Sequence, residues 1–356
     1  MGSETAGRRP ATESCATLPP AREITRLSGA AREVVVNFVP PGSACALLDF
    51  PDHANVGDSA IWLGEKALLK SIGARIVYEC DLVTYSERAL AERVGNGVIL
   101  LHGGGNFGDV WPTRELFRER VIRKFPDNKI VILPQTIFFQ DSSNLRRARS
   151  VLNQHSNLVI LARDRRSFEF ARNEFRAASA LCPDLAFILG PLARPAESQQ
   201  DILWLARTDV ESRGAASFLD AMGVCRTDWL AENPTLAKRL YGRLKQPMVR
   251  HPRICGRLLG PTLRDRLAWQ RVMRGARLLS GGRVVVTDRL HGHILSILLG
   301  IPHVVLDNSY GKVSDFYSTW TKDCDSACWA DSPDEALSRA RVLVPRSKDS
   351  SPQQQV

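Results

Sequence analysis

The sequence predicts an α/β protein built on parallel sheets with helices on both faces. Short apolar runs recur along the chain, and helical patterns lie between most of them, which is the alternation that parallel sheets require. At 356 residues the chain is longer than the roughly 250–300 residues that a single core serves, so two domains are expected. Hydrophobic residues make up 44% of the chain and charged residues 24%, a globular composition that excludes a disordered or fibrous protein.

The apolar runs that are short enough for strands occur throughout the chain. In order they are Ala44–Phe50, Arg75–Glu79, Val98–His102, Lys129–Leu133, Leu158–Ala162, Ile202–Ala206, Arg283–Thr287 and His303–Asp307. In open parallel sheets, ligands bind beyond the carboxyl ends of the strands. The residues that directly follow these runs are therefore the candidates for a functional site.

Helix starts are indicated by capping residues between the strands. Asp58 is predicted to cap a helix that stops at Gly73, and Thr113 is predicted to cap another. Further helices are predicted over Arg165–Ala177, Asp265–Leu279 and Pro333–Val342.

Composition predicts the domain boundaries. Residues 1–30 and 346–356 lack periodicity and are expected to be disordered tails. The stretch from Gly190 to Gln200 has the composition of a linker, which divides the core into residues 31–195 and 196–345. The segment Thr208–Pro261 has no clear period, and helical insertions over a cleft are expected there.

The charge balance favours anionic ligands. Basic residues exceed acidic ones by ten, and 39 of the 48 basic residues are arginine. Such an excess suits phosphorylated or carboxylated ligands, acidic glycans or anionic lipid head groups, although codon bias explains it equally well. No nucleic-acid partner is predicted, because the arginines are scattered and the aromatic residues, at 7%, form no stacking pattern.

Several classes of protein lack support in the sequence. No apolar run reaches the ~18 residues of a membrane span, and residues 1–10 lack a signal region, so a cytoplasmic protein is expected. The eight cysteines include no Cys-x-x-Cys pair, and no His/Asp cluster has the spacing of metal ligands. The prediction is therefore a protein that needs no metal.

Two of the polar segments that follow strands lie in the first half of the chain. After Ala44–Phe50 come Asn55 and Asp58, which either meet a ligand or merely cap the next helix. After Val98–His102 come Gly103, Gly104, Gly105 and Asn106, where backbone amides are expected to approach a phosphate or carboxylate. Neither segment has the glycine spacing of a nucleotide-binding loop, so no nucleotide cofactor is predicted.

The other two polar segments supply cations. Arg163 directly follows Leu158–Ala162 and is a candidate anion ligand, whereas Arg165 and Arg166 fit a solvated helix face equally well. After Arg283–Thr287 comes Asp288-Arg289-Leu290-His291, in which Arg289 can clamp an anion and His291 can transfer a proton near neutral pH. His293 and His303 are expected to be packing residues.

Taken together, these segments resemble the polysaccharide pyruvyl transferase family. The matching segments, in the order of the family, are Asn55-Val56-Gly57-Asp58, His102-Gly103-Gly104-Gly105-Asn106, Leu133-Pro134-Gln135-Thr136, Ala162-Arg163-Asp164 with Ser167, Pro183-Asp184-Leu185-Ala186, Asp288-Arg289-Leu290-His291 and Gly300-Ile301-Pro302. Each motif is weak alone, but the ordered set is specific.

The resemblance implies two Rossmann-like domains whose parallel sheets face each other across a cleft, as in GT-B glycosyltransferases. It also implies transfer of a pyruvyl group from phosphoenolpyruvate, the donor substrate, to a sugar acceptor, with no cofactor. By this analogy His291 is the main acid or base, Arg289 and Arg163 bind the donor anion, and Asp58 acts on the acceptor side. Substrate contacts are assigned to Asn55, Gly103, Gly104, Gly105, Asn106, Asp288, Leu290 and Lys312.

Other functions stay open at this point. A nucleotide-sugar glycosyltransferase would use the same scaffold, and Ser59 with Asp288 and His291 imitates the blocks of a GDS-type serine esterase. A family-like scaffold that only binds anionic glycans or a partner is a third alternative. The acceptor sugar, its linkage to a lipid and the oligomeric state are not determined by the sequence.

Peripheral membrane association is compatible with the basic composition. Acceptors of this kind are often lipid-linked, and a basic surface favours the anionic leaflet at the inner face of a membrane. The segment Arg146-Arg147-Ala148-Arg149 and the stretch from Arg243 to Arg257 are the candidate patches. Solvated helix faces account for both equally well.

Overall fold

The computed structural model describes residues 21–212, 226–250 and 260–345 of the chain. It is an α/β protein with two parallel sheets, as predicted. The strands of the first sheet are β1 (Ala44–Leu48), β2 (Arg75–Cys80), β3 (Val98–Leu101), β4 (Gly104–Gly108), β5 (Ile130–Phe138), β6 (Leu158–Ala162) and β7 (Ala178–Leu181). Those of the second sheet are β8 (Gln200–Leu205), β9 (Arg226–Thr227), β10 (Gly282–Thr287), β11 (His303–Val305) and β12 (Ala327–Trp329).

The first three strands of each sheet are arranged in the same order. The first runs β2-β1-β3-β5-β6-β7, with β4 paired to β5, and the second runs β12-β11-β10-β8-β9. In each sheet the first strand along the chain lies between the second and the third, so the direction of winding reverses beside β1 and beside β8. Such a reversal opens a crevice at the carboxyl ends of the strands, where open α/β sheets bind ligands.

The helices cover both faces of the first sheet and connect the strands of the second. They are α1 (Ala21–Phe38), α2 (Val56–Ser71), α3 (Glu87–Val94), α4 (Pro112–Lys124), α5 (Ser142–Leu152), α6 (Arg165–Glu174), α7 (Leu236–Arg250), α8 (Gly260–Ser280), α9 (Leu290–Leu298), α10 (Lys312–Phe316) and α11 (Pro333–Leu343). A 3₁₀ turn covers Leu185–Leu189. Within the described ranges, none of these helices combines the length and apolar character that crossing a membrane requires.

The predicted N-terminal tail is wrong for residues 21–30, because these residues form the first half of α1. Ile24, Leu27, Ala31 and Val35 are buried at intervals of three and four residues, so one face of the helix joins the core. The alanines and polar residues around them had indicated a tail. Residues 1–20 and the predicted tail 346–356 lie outside the described residues.

Two predicted helix caps differ from the structure. Asn55, not Asp58, caps α2, because its side-chain oxygen accepts a hydrogen bond from the amide of Gly57 at 3.1 Å. Asp58 lies in the first turn instead, where a carboxylate is favoured by the helix dipole. Helix α4 begins with Pro112 rather than being capped by Thr113, since proline lacks the amide that a cap would satisfy.

The strands that sequence analysis missed are short or rich in small residues. These are β4, β7, β9 and β12. The predicted insertion over Thr208–Pro261 contains helix α7, while residues 213–225 and 251–259 lie outside the described ranges.

One hydrophobic cluster joins elements from both sides of the predicted domain boundary at residue 195. It contains Leu47 of β1, Trp62 of α2, Leu205 of β8, Val272 of α8 and Val285 of β10. A second cluster lies on the other face of the first sheet, against α3, α4 and α5. The division into domains at residue 195 stays a prediction.

The close packing of α2 against the 3₁₀ turn depends on Gly64. A Cβ atom on Gly64 would lie 1.9 Å from the carbonyl oxygen of Leu185, a backbone atom that cannot simply rotate away. Glycine to alanine in the interior of a helix ordinarily stabilises a protein by up to about 1 kcal/mol. Here we expect Gly64→Ala to lower the free energy of unfolding by about 3 kcal/mol, because the packed backbones must separate.

Chemical denaturation monitored by circular dichroism measures this effect, with Gly242→Ala in α7 as the control. Nothing lies within 4 Å of a Cβ at Gly242, so that variant should be as stable as the wild type or more so. Equal stability of the two variants would contradict the packing described for α2.

Candidate active site

A cavity of about 500 Å³ lies where the polar loops that follow β1, β4, β6, β8 and β10 meet. Its position coincides with the reversal of winding in both sheets. Most of the predicted site residues line it, namely Asn55, Asp58, Gly105, Asn106, Arg163, Arg289, Leu290, His291 and Lys312. Gly103, Gly104 and Asp288 are outside the lining. Sequence analysis missed the lining residues His53, Ala54, Trp111, Arg114, Arg207, Asp209, Glu211, Trp229 and Leu230.

Arg163 is fixed at the floor of the cavity. Its side chain is 1% exposed, and its Nη1 donates to Oδ2 of Asp184 at 2.8 Å while its Nε donates to Oγ1 of Thr136 at 2.9 Å. A guanidinium group presents its donors as a rigid fork, so two fixed nitrogens determine the direction of the third. Nη2 lies towards Gly105, where an added Cβ would be 2.9 Å away.

Asp184 connects Arg163 to His291, and sequence analysis did not include it among the site residues. Its Oδ2 lies 2.8 Å from Nη1 of Arg163 and 3.3 Å from Nε2 of His291. Burial alone would raise the pKa of Asp184, but His291, Arg163 and the amide of Ala186 together hold it well below its ordinary value. Asp184 is therefore a permanent anion. Its position in the sequence, directly after Pro183, was visible only as part of the family motif.

His291 lies in the first turn of α9, 8% exposed, and lines the cavity. The contact between its Nε2 and Oδ2 of Asp184 is within ion-pair distance, although the angles do not satisfy a hydrogen bond. On its other side the ring packs against Gly57, where an added Cβ would lie 2.2 Å from Nδ1. The imidazole is thus confined between an anion and a backbone that leaves no space for a larger residue than glycine.

Lys312 begins helix α10 and reaches the same point as Arg163. Its Nζ would lie 3.3 Å from a Cβ at Gly105 and forms an ion pair with Oε2 of Glu211. Burial, together with the positive charges of Arg207 and Arg163, lowers the pKa of Lys312 to about 8, although Glu211 acts to raise it. A lysine with this pKa exchanges its proton close to physiological pH.

Arg289 occupies the opposite wall and is held by acidic residues of the second sheet. Its Nε and Nη2 donate to the two carboxylate oxygens of Asp228 at 2.7 and 2.6 Å, which is a bidentate pair. Nη2 also lies 3.2 Å from Asp209. Asp228 and Asp209 lie in the segment Thr208–Pro261, which has no clear period, so these partners were not predicted.

Arg207 could have been found by the rule that identified Arg163, because it follows strand β8 closely. Its guanidinium group bonds Asp209 at 2.9 Å through two nitrogens, and Nη2 lies 3.1 Å from Glu211. Its backbone amide donates to Oδ1 of Asp288 at 2.8 Å. That bond gives Asp288 a structural position beneath the cavity, where burial raises its pKa to about 6.

The glycine segment is an extended strand, β4, and not the backbone nest that was predicted. The amides of Gly103, Asn106 and Gly108 donate to side chains of Glu65, Gln135 and Glu115, so they are already satisfied within the protein. The segment instead leaves room for two cations. Because Gly105 has no side chain, Arg163 and Lys312 can both approach its backbone.

The rim of the cavity on the β1 side carries Asp58, His53 and Asn55. Nδ2 of Asn55 donates to Oδ2 of Asp58 at 3.0 Å, and Nε2 of His53 lies 3.4 Å from the same oxygen. Burial alone would raise the pKa of Asp58, but His53, His291 and His102 lower it below its ordinary value. Burial lowers the pKa of His53, so this imidazole is neutral at physiological pH.

Aromatic and apolar side chains complete the wall. Trp229 is buried and Leu230 is half-buried, whereas Trp111, at the start of α4, is 40% exposed. An exposed indole at the edge of a polar cavity is a surface on which the apolar face of a sugar ring can lie.

The position of Ser59 contradicts the serine esterase alternative. Ser59 is fully buried in the first turns of α2, where its Oγ donates to the carbonyl of Asn55 at 3.3 Å. A nucleophile must be accessible to its substrate, and this hydroxyl group is not. Among the described residues there is also no group of three His, Cys, Asp or Glu side chains placed to hold a metal ion.

Comparison with known proteins agrees with the resemblance found in the sequence. The family model described as polysaccharide pyruvyl transferase matches residues 55–310. The protein named Pyruvyl transferase 1 from Schizosaccharomyces pombe is 34% identical over 317 residues, which cover 82% of this chain and 74% of that protein. EpsO from Bacillus subtilis, named as a candidate pyruvyl transferase, is 31% identical over 82% of this chain and 90% of its own.

Among solved structures, a functionally uncharacterized protein from Klebsiella pneumoniae has a similar fold. It superposes with a TM-score of 0.55 at 18% identity, over 86% of this chain and all of that one. At this identity the likeness concerns the fold alone.

Proposed function

The chain belongs to the polysaccharide pyruvyl transferase family, and on that basis we propose that it moves the pyruvyl group of phosphoenolpyruvate onto a sugar. The product is a pyruvate ketal, and phosphate is released. The proposal places the reaction in the cytoplasm, as the sequence predicts.

The observation that carries this proposal is the approach of two cations over Gly105. Nη2 of Arg163 and Nζ of Lys312 would lie 2.9 and 3.3 Å from a single added Cβ atom, and Arg207 and Arg289 line the same cavity. Like charges in a buried site repel each other, so such a cluster is stable only when anions lie among the cations. Asp184, Glu211, Asp209 and Asp228 supply that negative charge from behind, one carboxylate to each cation.

Held in position by these carboxylates, the four cations can bind an anionic donor in the cavity. Phosphoenolpyruvate carries its phosphate and its carboxylate on the same carbon of the enol, and the two anionic groups point in different directions, which calls for two separate groups of cations. We assign Arg163 and Lys312 to one anionic group and Arg289, with Arg207, to the other. Arginine suits this task because its fork binds carboxylate and phosphate oxygens in pairs.

The reaction then requires that a proton be transferred to a carbon atom of the donor. A proton adds to the methylene carbon of the donor, which makes the neighbouring carbon electrophilic, and a sugar hydroxyl oxygen forms a bond to it. The bond from that carbon to the phosphate oxygen breaks, phosphate leaves with its electron pair, and a second hydroxyl closes the ketal. Of the two hydroxyl protons, one replaces the proton given to carbon and the other leaves with phosphate or solvent.

We assign the proton transfers to His291 and Lys312. His291 lies between Asp184 and the cavity, so an imidazolium ion formed during the reaction would be stabilised by a fixed anion. Lys312 has a pKa of about 8, which suits a group that gives up a proton near neutral pH.

On the acceptor side we assign Asp58 and Trp111. The carboxylate of Asp58 can accept the proton of a sugar hydroxyl, with Asn55 and His53 holding it in place. Trp111 at the rim supplies a flat apolar surface for the sugar ring. Asn106 is held by Arg118 and Gln135 and lines the same side, while Leu290 gives the wall an apolar patch.

Release of phosphate from phosphoenolpyruvate tests the proposal. The purified protein is incubated with the donor and with a panel of hexosides and lipid-linked sugars, and phosphate and the mass of each sugar are measured. We expect sugar-dependent release of phosphate, with a pyruvyl ketal on the sugar that supports it.

Release of phosphate without transfer of the pyruvyl group to a sugar would contradict the proposal. So would an absence of release together with calorimetric binding of a nucleotide sugar, which would assign the cavity to a glycosyltransferase instead.

A further inference from the structure

Helices α7 and α8 hold most of the excess positive charge of the chain. Together they contain ten basic residues and one acidic residue, whereas the formal net charge of the whole chain is +10. Within the described ranges, five of these basic residues form ion pairs with carboxylates: Lys238, Lys245, Arg264, Arg271 and Arg274. Five other arginines are exposed and are not among them: Arg239, Arg243, Arg250, Arg266 and Arg277.

The exposed arginines alternate with large apolar side chains. In α7, Leu236 is 71% exposed and Leu240 is 39% exposed, and in α8 Trp269 is 45% exposed. At 3.6 residues per turn, Leu236, Arg239, Leu240, Arg243 and Arg250 lie within about 100° of arc on α7. Arg266, Trp269, Met273 and Arg277 form a similar stripe on α8. We call the surface that carries these two stripes the α7–α8 face.

The two stripes belong to one surface because the helices lie side by side and antiparallel. Thr235, just before α7, bonds Gln270 of α8 at 2.9 Å, and six residues later Tyr241 bonds Arg264 at 2.9 Å. An open groove lies between α8 and the segment that precedes α7, and its lining includes Thr235, Trp269 and Met273.

We propose that the α7–α8 face docks on an anionic phospholipid surface. Arginine next to tryptophan and leucine is the combination found on proteins that lie in a membrane interface, where the cations meet head groups and the apolar side chains enter the acyl boundary. A second copy of the chain fits less well, because two copies of this face would oppose arginines to arginines. An acidic protein or a nucleic acid would match the charge but would leave Leu236 and Trp269 in water.

The location of the face fits an acceptor that is delivered from a membrane, a point that depends on the function proposed above. Trp229 and Leu230 line the active cavity, and the next residues along the chain, Ala231, Glu232 and Asn233, line the groove. Arg274 closes the wall between the two, since its Nη2 donates to the carbonyl oxygens of Ala54 and Trp229 at 2.5 and 2.8 Å. A sugar on a lipid carrier would enter the cavity next to the docked surface.

The two basic patches that were predicted from the sequence, Arg146–Arg149 and Arg243–Arg257, differ in the structure. On α5, Arg147 pairs with Glu119 and Arg149 pairs with Glu174, so much of that patch is neutralised. Helix α5 packs on the opposite face of the first sheet from α8, in a different hydrophobic cluster. A charge reversal there is a control for the one on α7.

Sedimentation with lipid vesicles tests the proposal on the full chain, without donor or acceptor, so its outcome is independent of the enzymatic activity. We expect binding to vesicles of phosphatidylcholine mixed with phosphatidylglycerol, weak binding to phosphatidylcholine alone, and release by salt. Arg239→Glu/Arg243→Glu should weaken binding by at least about thirtyfold, given the contribution of each basic residue near an anionic surface. Trp269→Ser should weaken it as well, whereas the control Arg146→Glu/Arg176→Glu should not; Arg176 is exposed, and its amide bonds Asn153 at the end of α5.

Both double variants change exposed positions, so their turnover of a water-soluble acceptor should equal that of the wild type. The salt titration of the wild-type protein is informative even if a variant fails to fold. Equal binding to both kinds of vesicle, insensitivity to salt, or equal losses in the α7 variant and the control would overturn the proposal. Binding to a DNA duplex without binding to vesicles would overturn it too and would assign the face to nucleic acid.

Discussion

Replacing His291 with glutamine is expected to lower kcat by about a thousandfold, which is the usual range for the loss of a general acid or base. Glutamine keeps a polar group of similar reach but cannot take up and release a proton. Because Asp184 remains paired with Arg163, the donor site should keep its shape, and the dissociation constant of phosphoenolpyruvate should change far less than kcat. Steady-state kinetics and calorimetry with the donor measure the two quantities.

The control is His155→Gln, a buried histidine that bonds the carbonyl of Phe125 and does not line the cavity. This variant should lose stability but keep the kcat of the wild type. Turnover by His291→Gln at the wild-type rate would remove His291 from the chemistry.

Replacing Lys312 with methionine is expected to lower kcat/KM by at least about a hundredfold, because the donor loses a cation and a proton source. The pH profile tests this role independently. The pKa of Lys312 lies at about 8, below its ordinary value, so the ammonium form predominates below pH 8 and is lost as the pH rises through it. The wild-type kcat/KM should therefore fall on the alkaline side, with a midpoint near pH 8.

Two variants test whether Lys312 is the group whose titration sets that midpoint. Lys312→Arg keeps its charge at all accessible pH values, so the alkaline limb should move beyond about pH 10 while some activity remains. Lys322→Met, which removes an exposed lysine of the same half of the chain, should leave the profile unchanged. A wild-type profile that is flat up to about pH 10 would contradict the assignment.

The functional residues that were predicted from the sequence are those that follow the carboxyl ends of strands. Arg163 directly follows β6 and Arg289 follows β10 by one residue, and parallel strands bring their carboxyl ends to the same edge. This rule needs only the local pattern of apolar runs. Arg207 obeys the same rule, because it follows β8.

The partners of those residues could not be predicted in the same way. Asp184 meets His291, and Asp228 meets Arg289, only because segments separated by 107 and 61 residues come together in the tertiary structure. Charge alone does not select these carboxylates from the 38 acidic residues of the chain. The contact between Gly57 and His291 is of the same kind, since a glycine in a helix has no local signal for what packs on it.

The glycine segment shows how a correct location can be given the wrong conformation. Three consecutive glycines after β3 suggested a nest of free amides, because glycine permits a tight turn. In the structure, Glu65 accepts the amide of Gly103 and Gln135 accepts the amide of Asn106, and the chain continues as strand β4. The side chains that decide between a loop and a strand are distant in sequence.

The most direct test of the central claim is to run the reaction in heavy water with phosphoenolpyruvate and the accepting sugar. If a protein-bound proton is added to the methylene carbon and the pyruvyl group is moved to the sugar, the ketal methyl group will carry deuterium and phosphate will appear in equal amount, as proton and phosphorus NMR will show. A product that retains the methylene double bond, or phosphate without a labelled sugar, would contradict ketal formation in this cavity.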